Sequence, residues 1–213
     1  DDFDIYPLFD TGYRRSFSRS LFDSEKLKEK EKYDSVFLMS PFVSSRFLDK
    51  IAACTKQNVK TKLLTRKQTA ESLEEKYNQF FDGYILNTAI VEAPFSMDDS
   101  DDEVKSETSE VDGQNILTDI HAKIIALQKK RHTDFYIGSA NATDSALNRN
   151  IEIMVRVGCN KKTLSPEEVF NEINPSENPL FERITFKKNE FEKMAIQKRI
   201  ERYARELSHT NAS

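Results

Sequence analysis

Between Ile120 and Val157 the chain holds three short apolar runs, 120–127, 134–137 and 151–157, separated by polar or small residues. Runs of this length between hydrophilic breaks read as strands, and closely spaced strands pair as antiparallel neighbours. The first run is apolar except for His121, Lys123 and its far end. At i and i+2 the two side chains share one face of a strand. Gln128–Thr133 reads as the hydrophilic connection, and Asp134–Ile137 starts the second strand. Gly138-Ser139-Ala140-Asn141 ends it in small residues, where a ligand can approach the backbone closely. Glu152 stands near the start of the third run.

Upstream, elements alternate. A strand is expected at Val36–Met39, then a helix capped by Ser44 or Ser45 and running to about Gln57, with Phe47, Leu48, Ile51 and Ala52 on one face. A second strand is expected from Val59, a helix over about Thr69–Phe81 and a strand around Tyr84–Ala93. Downstream, Pro166 opens a short helix through Ile173, and Asn189–Leu207 has a helical pattern with Phe191, Met194, Ile200, Tyr203 and Leu207 on one side. Asp1–Ser20 reads as an arm and Leu21–Lys32 as a charged helix. This order argues an α/β fold, a mixed central β-sheet flanked by helices. The division expected is an N-terminal arm and helix at 1–34, a central domain at 35–188, and a C-terminal helix at 189–213 serving as dimer contact or linker. At 213 residues the chain is about one domain.

Two charged side chains on a strand that otherwise reads as core are costly to bury without a purpose. A neutral imidazole can attack phosphorus and form a covalent phosphoryl-enzyme. A lysine is a point charge for non-bridging phosphate oxygens, and Asn and Ser add neutral donors. A carboxylate on the other ring nitrogen fixes the tautomer and stabilises the positive imidazole. This chemistry needs no metal and no cofactor.

His-x-Lys, then Gly-Ser-x-Asn, then a glutamate eleven residues after the asparagine resembles the signature of the phospholipase D superfamily. The resemblance is strong over 119–157 and weaker from Ser35 onward. It implies that His121 is the nucleophile, that Lys123 and Asn141 grip the phosphate, that Ser139 supports that grip, and that Glu152 orients the imidazole. Many members carry an aspartate five residues after the lysine, where this chain has Gln128. The Asp-less form is similar to the tyrosyl-DNA phosphodiesterases and a metal-independent restriction endonuclease branch, which tilts the expected substrate from lipid toward nucleic acid.

The family's catalytic unit uses two facing motifs, one histidine attacking and the other protonating the leaving oxygen. This chain has one. His132 has no lysine two residues on, and His209 sits in a polar tail. The resemblance therefore implies a homodimer sharing one site across a two-fold axis, or a second motif supplied by a partner domain.

Charge bears on the substrate. The net charge is −4, but 98–112 holds eight acidic residues and one lysine, so the remainder carries +3. That acidic stretch reads as a flexible loop; occlusion of a basic cleft is the sharper expectation for it. Basic residues group at Lys56, Lys60, Lys62, Arg66 and Lys67, and again at Lys129, Lys130, Arg131 and His132. Lys62, Arg66, Lys67, Lys129, Lys130 and Arg131 are the candidate nucleic-acid contacts, through sequence-independent phosphate binding. No run approaches the roughly 18 apolar residues of a membrane span. Cys54 and Cys159 form no spaced cluster and read as buried thiols, consistent with a reducing cytoplasm. The expectation is a metal-independent phosphodiesterase, a DNA endonuclease working through a phosphohistidine. The alternatives are a phospholipid phosphodiesterase and a non-catalytic binding module of a larger defence or helicase protein.

Overall fold

Strand alternation decides how the sheet is covered. In β2 (Ser35–Met39) Val36 and Leu38 point to one side and Phe37 to the other, and all three are buried, so both faces of this strand are roofed. The computed structural model describes residues 2–23, 28, 31–87 and 120–187. The described strands are β1 (Asp2–Pro7), β2, β3 (Thr61–Leu64), β4 (Phe81–Leu86), β5 (Ile124–Lys129), β6 (His132–Gly138), β7 (Ile153–Asn160) and β8 (Phe181–Ile184). They form one mixed sheet in the order β1-β7-β6-β5-β2-β3-β4-β8. β2, β3 and β4 run parallel, and every other pairing is antiparallel.

The parallel strands need helical crossovers. α2 (Ser45–Cys54) starts where Ser44 Oγ accepts the Phe47 N–H, and it buries Phe47, Leu48, Ile51 and Cys54. It ends sooner than expected because Thr55 turns extended and bridges Tyr33. The helix expected over Thr69–Phe81 is divided. α3 (Lys67–Ser72) stops at Leu73, and a 3-10 turn at Glu75–Gln79 follows. The break lets Leu73 and Tyr77 both reach the core.

The larger core joins the β2, β3, β5 and β6 residues of one face to α1 (Thr11–Phe22), α2 and α3. The smaller lies on the other face, where α5 (Pro166–Ile173) seats Phe170 against Phe37 and Tyr84. α5 is held at its start by a capping box between Ser165 and Glu168. The short α4 (Asp144–Asn148) is capped by Thr143.

The N-terminal expectation is corrected. The segment read as an arm is β1, paired to β7 from Asp2–Gly158 to Pro7–Ile153. Of the charged helix expected over Leu21–Lys32, residues 24–27 and 29–30 lie outside the described residues; α1 precedes it, capped where Asp10 accepts the Gly12 N–H at 2.7 Å. Its end at Phe22 packs edge-on against Phe47. The polar connection expected at Gln128–Thr133 is also shorter. Only Lys130 and Arg131 form the turn, with Lys130 left-handed at φ 58°. β4 ends at Leu86. The acidic stretch 98–112 and the expected helix 189–207 lie outside the described residues. Cys54 and Cys159 are buried free thiols. No helix among the described residues is long and apolar enough to cross a membrane.

Candidate active site

Strand direction brings the sequence motif together. β5 runs against β2, β6 against β5 and β7 against β6. The start of β5, the end of β6 and the start of β7 therefore meet at one edge of the sheet, beside the end of β2. His121 and Lys123 precede β5, Gly138–Asn141 close β6, and Glu152 immediately precedes β7. The strand expected to hold His121 and Lys123 thus starts later, one residue after Lys123 and three after His121. Both sit on the extended approach to β5, where the pairing persists through the Gly138 N–H donating to the Lys123 carbonyl at 3.3 Å. His121 is exposed, and Lys123 is half-buried with its Nζ donating to the His121 carbonyl at 2.6 Å.

Glu152 is the buried charged group here, 9% exposed. Its Oε2 accepts the Ser139 hydroxyl at 2.5 Å and its Oε1 accepts Asn150 Nδ2 at 3.2 Å. Ser139 Oγ in turn accepts the Ile153 N–H at 3.0 Å, and the Ser139 N–H donates to the Ile153 carbonyl at 3.0 Å. The Leu8 N–H donates to the Glu152 carbonyl at 2.7 Å. The serine therefore spends its only hydrogen on the carboxylate. Among the described residues, the hydrogen bonds at the Glu152 carboxylate come from Ser139 and Asn150, and an imidazole contact is not among them.

Asn141 is half-buried, and its Oδ1 is buried without a hydrogen-bond partner. An amide has an acceptor end and a donor end. With Oδ1 sunk, Nδ2 is the end left for a ligand. The loop that carries Asn141 is fastened to the loop after β2. Ser40 Oγ accepts the Ala142 N–H at 3.0 Å, and the Ser44 N–H donates to the Ala142 carbonyl at 3.0 Å. Gly138 is required by close approach. A Cβ there would lie 2.1 Å from the Ile153 carbonyl oxygen and 2.7 Å from Met154 Sδ.

The candidate phosphate contacts divide. Arg66 and Lys67 follow β3 at the same edge as the motif, with the Arg66 guanidinium 4.4 Å above the Phe42 ring. Lys62 is engaged elsewhere: its Nζ is 2.5 Å from Glu167 and 3.9 Å from the centre of the Phe170 ring. Lys129, Lys130 and Arg131 stand at the β5–β6 turn, the opposite edge of the sheet. At ~3.4 Å per residue the strand puts about 20 Å between that turn and the motif. Arg66 and Lys67 therefore lie at the opposite end of the strands from Lys129, Lys130 and Arg131.

Sequence reasoning missed the supports. Arg14 of α1 donates to the Leu147 carbonyl at 3.2 Å and the Asn150 carbonyl at 2.7 Å, holding the loop that presents Asn150 to Glu152. Ser40 is the other. Neither carries a spacing signal, because each acts through backbone groups distant in sequence. Among the described residues no group of three or more His, Cys, Asp or Glu could hold a metal ion.

A family model described as "Cardiolipin synthase, PLD-like domain" matches residues 27–173. Among solved structures, the chain is similar to NucT from Helicobacter pylori, at 14% identity and a TM-score of 0.50, covering 80% of this chain and 93% of that one. It is similar to Nuc from Salmonella typhimurium, a phospholipase D family member, at 15% identity and a TM-score of 0.48, covering 80% and 90%. Yeast tyrosyl-DNA phosphodiesterase 1 aligns at 14% identity and a TM-score of 0.40, over 73% of this chain and 32% of that one. No curated protein matches.

Proposed function

The chain belongs to the phospholipase D superfamily, which includes phosphodiesterases and nucleases, and we propose that it is a metal-independent endonuclease acting on DNA through a phosphohistidine. The observation that carries this reading is the convergence of His121, Lys123, Asn141 and the Ser139–Glu152 pair at one sheet edge.

In the proposed reaction the His121 imidazole attacks phosphorus, and the P–O bond to the leaving group breaks. The departing oxygen takes a proton from the partner subunit's His121. That imidazole then removes a proton from water, which attacks the phosphohistidine and returns His121 to its neutral state. Lys123 Nζ and Asn141 Nδ2 hold the non-bridging oxygens, where charge rearranges in the transition state. Ser139 acts on Glu152 rather than on phosphate, keeping a buried carboxylate beside the site. Arg66 and Lys67 contact flanking phosphates from the same edge. DNA is favoured over a phospholipid by Gln128, which stands where many family members carry an aspartate, the Asp-less form being similar to that of the tyrosyl-DNA phosphodiesterases.

Labelled DNA incubated in EDTA with the full chain and with His121→Ala tests the proposal. Cleavage by the unaltered protein alone is the expected result. Cleavage retained by His121→Ala removes the histidine mechanism. Turnover of phospholipid vesicles without turnover of DNA moves the substrate to lipid.

A further inference from the structure

An aromatic side chain stands exposed beside Asn141 on a backbone that is fastened from several sides. Phe42 follows β2 at the motif edge and is 47% exposed. The hydroxyl of the buried Ser40 donates to the Phe42 carbonyl at 2.7 Å and accepts the Ala142 N–H at 3.0 Å. One oxygen thereby joins the loop after β2 to the loop that carries Asn141. The neighbouring Pro41 carbonyl accepts the hydroxyls of Thr69 at 2.8 Å and Thr65 at 3.3 Å. Val43 and Ala142 form a parallel bridge, which sets Phe42 beside Asn141 at about one strand spacing, ~4.8 Å.

The ring has two unlike sides. On one face the Arg66 guanidinium lies 4.4 Å from its centre, so the exposed part of the ring is the part turned from Arg66. The cation holds the ring and places a positive charge behind it. A single exposed phenylalanine is unremarkable by itself. Phe42 differs because its backbone is too firmly held to swing the ring into the core, and because its neighbour across the bridge is the amide left for a ligand. An aromatic face beside a phosphate grip, with cations at the same edge, is the combination that single strands use: the phosphate is held while its base stacks. A duplex reaches such a face only by extruding a base, which costs the energy of unstacking and unpairing it.

We propose that Phe42, backed by Arg66, is the stacking platform for an unpaired base next to the scissile phosphate, and that it makes the site prefer single-stranded over duplex DNA. The inference rests on the nuclease reading above and names the form of nucleic acid that the site takes. Ser40 sets the register between the two functions, since the same hydroxyl fixes the Phe42 carbonyl and the residue after Asn141. A base on Phe42 and a phosphate on Asn141 are therefore held at a fixed separation.

The test compares the full chain with Phe42→Ala and Phe42→Tyr, using thermal unfolding to check that each is folded. Substrates are an end-labelled single strand and the duplex of the same sequence. The unaltered protein should cleave the single strand with the higher kcat/KM. Phe42→Ala should lower that value by about 5- to 150-fold, the worth of one base–aromatic stack. The loss should fall mainly on KM and leave the duplex nearly unchanged. Phe42→Tyr keeps an aromatic face and should retain the preference. Binding is read apart from turnover with a single strand carrying a fluorescent base analogue whose emission falls on stacking. His121→Ala should quench it, and His121→Ala combined with Phe42→Ala should not. Equal losses on both substrates would make Phe42 a support of the Asn141 loop and overturn the platform. Quenching that survives Phe42→Ala, or a duplex cleaved faster than the single strand, also overturns it. Quenching that depends on Phe42, with no cleavage by the unaltered protein, would keep the platform and remove the nuclease reading. Cleavage of both substrates at rates that Phe42→Ala leaves unchanged would do the reverse.

Discussion

Ser139 and Glu152 are joined by a 2.5 Å hydrogen bond that ties the end of β6 to the start of β7 at the proposed site. The same hydroxyl oxygen accepts the Ile153 N–H. Ser139→Ala removes both bonds and leaves a nearly buried carboxylate one donor short. Losing a partner of a buried charged group costs about 1–3 kcal/mol. Urea unfolding of Ser139→Ala should show a loss in that range. Cleavage kinetics should show kcat reduced by about tenfold or more with KM for DNA little changed. A stability loss with kcat intact would confine Ser139 to a structural role.

Gly138→Ala should be more damaging than a glycine substitution in an open turn. The new methyl would meet the Ile153 carbonyl oxygen at 2.1 Å and the Met154 Cα at 2.9 Å, both backbone atoms of the neighbouring strand. The strands must then separate where Ser139 reaches Glu152. Overpacking of this kind costs about 1–3 kcal/mol or more, and activity should fall along with stability. A variant with unchanged Tm and unchanged cleavage would show that the strand ends have more room than the structure gives them.

Asn141 separates stability from function in the opposite direction. Its buried Oδ1 has no partner, an unfavourable state for a polar atom. Asn141→Ala should leave stability unchanged or raise it by up to about 1 kcal/mol, while kcat/KM falls by about 10²- to 10³-fold through loss of a transition-state donor. Urea titration beside single-turnover cleavage reads both. Undiminished turnover by Asn141→Ala removes the residue from the phosphate grip.

What was legible in the sequence follows from range. His121, Lys123, Ser139, Asn141 and Glu152 stand out because charged or small residues interrupt apolar runs, and antiparallel reversal of three successive strands must bring those interruptions to one edge. β1 was misread although Asp2-Phe3-Asp4-Ile5-Tyr6 alternates. Both its sides end up exposed, and among the described residues its charges are balanced by Arg156, about 150 residues along the chain. The two groups of cations are legible in the sequence, but not which of them face the motif, because composition carries sign but not direction. β5 separates the hairpin tip from the motif, and Glu167 occupies Lys62. Arg14 and Ser40 were invisible because they serve distant backbone atoms.

The division of the cations makes a contrast that can be measured. Lys67→Glu lies at the motif edge and should weaken DNA binding and reduce the salt dependence of the affinity, whose slope counts neutralised phosphates. Lys130→Glu with Arg131→Glu lies at the other edge and should leave cleavage of a duplex shorter than about five base pairs unchanged, since such a duplex is shorter than the ~20 Å between the edges. Equal losses from both variants on the short duplex would mean that the hairpin tip shares the site.

Asp34 supplies a pH signature away from the chemistry. Burial alone would raise its carboxyl pKa, but the Lys56 ammonium and the Lys130 N–H, the latter at 2.5 Å, outweigh that and hold it below the usual carboxylate value. A carboxylate depressed by folding contributes stability that is fully present above its unfolded pKa, about 3.9, and is lost as pH falls through the lower folded value. Asp34→Asn should therefore be less stable than the unaltered chain at pH 7 and by the same margin at pH 5. The margin should shrink below about pH 4 as the native carboxylate protonates. The bond to Lys130 also fixes the left-handed residue of the β5–β6 turn, but a neutral acid and an amide both still accept that N–H, so it adds nothing to the margin at pH 3, where the two proteins should converge. Urea unfolding of both proteins at pH 7, 5 and 3 checks the sign, and a margin that widens toward acid would show that Asp34 is not held down by its cationic partners.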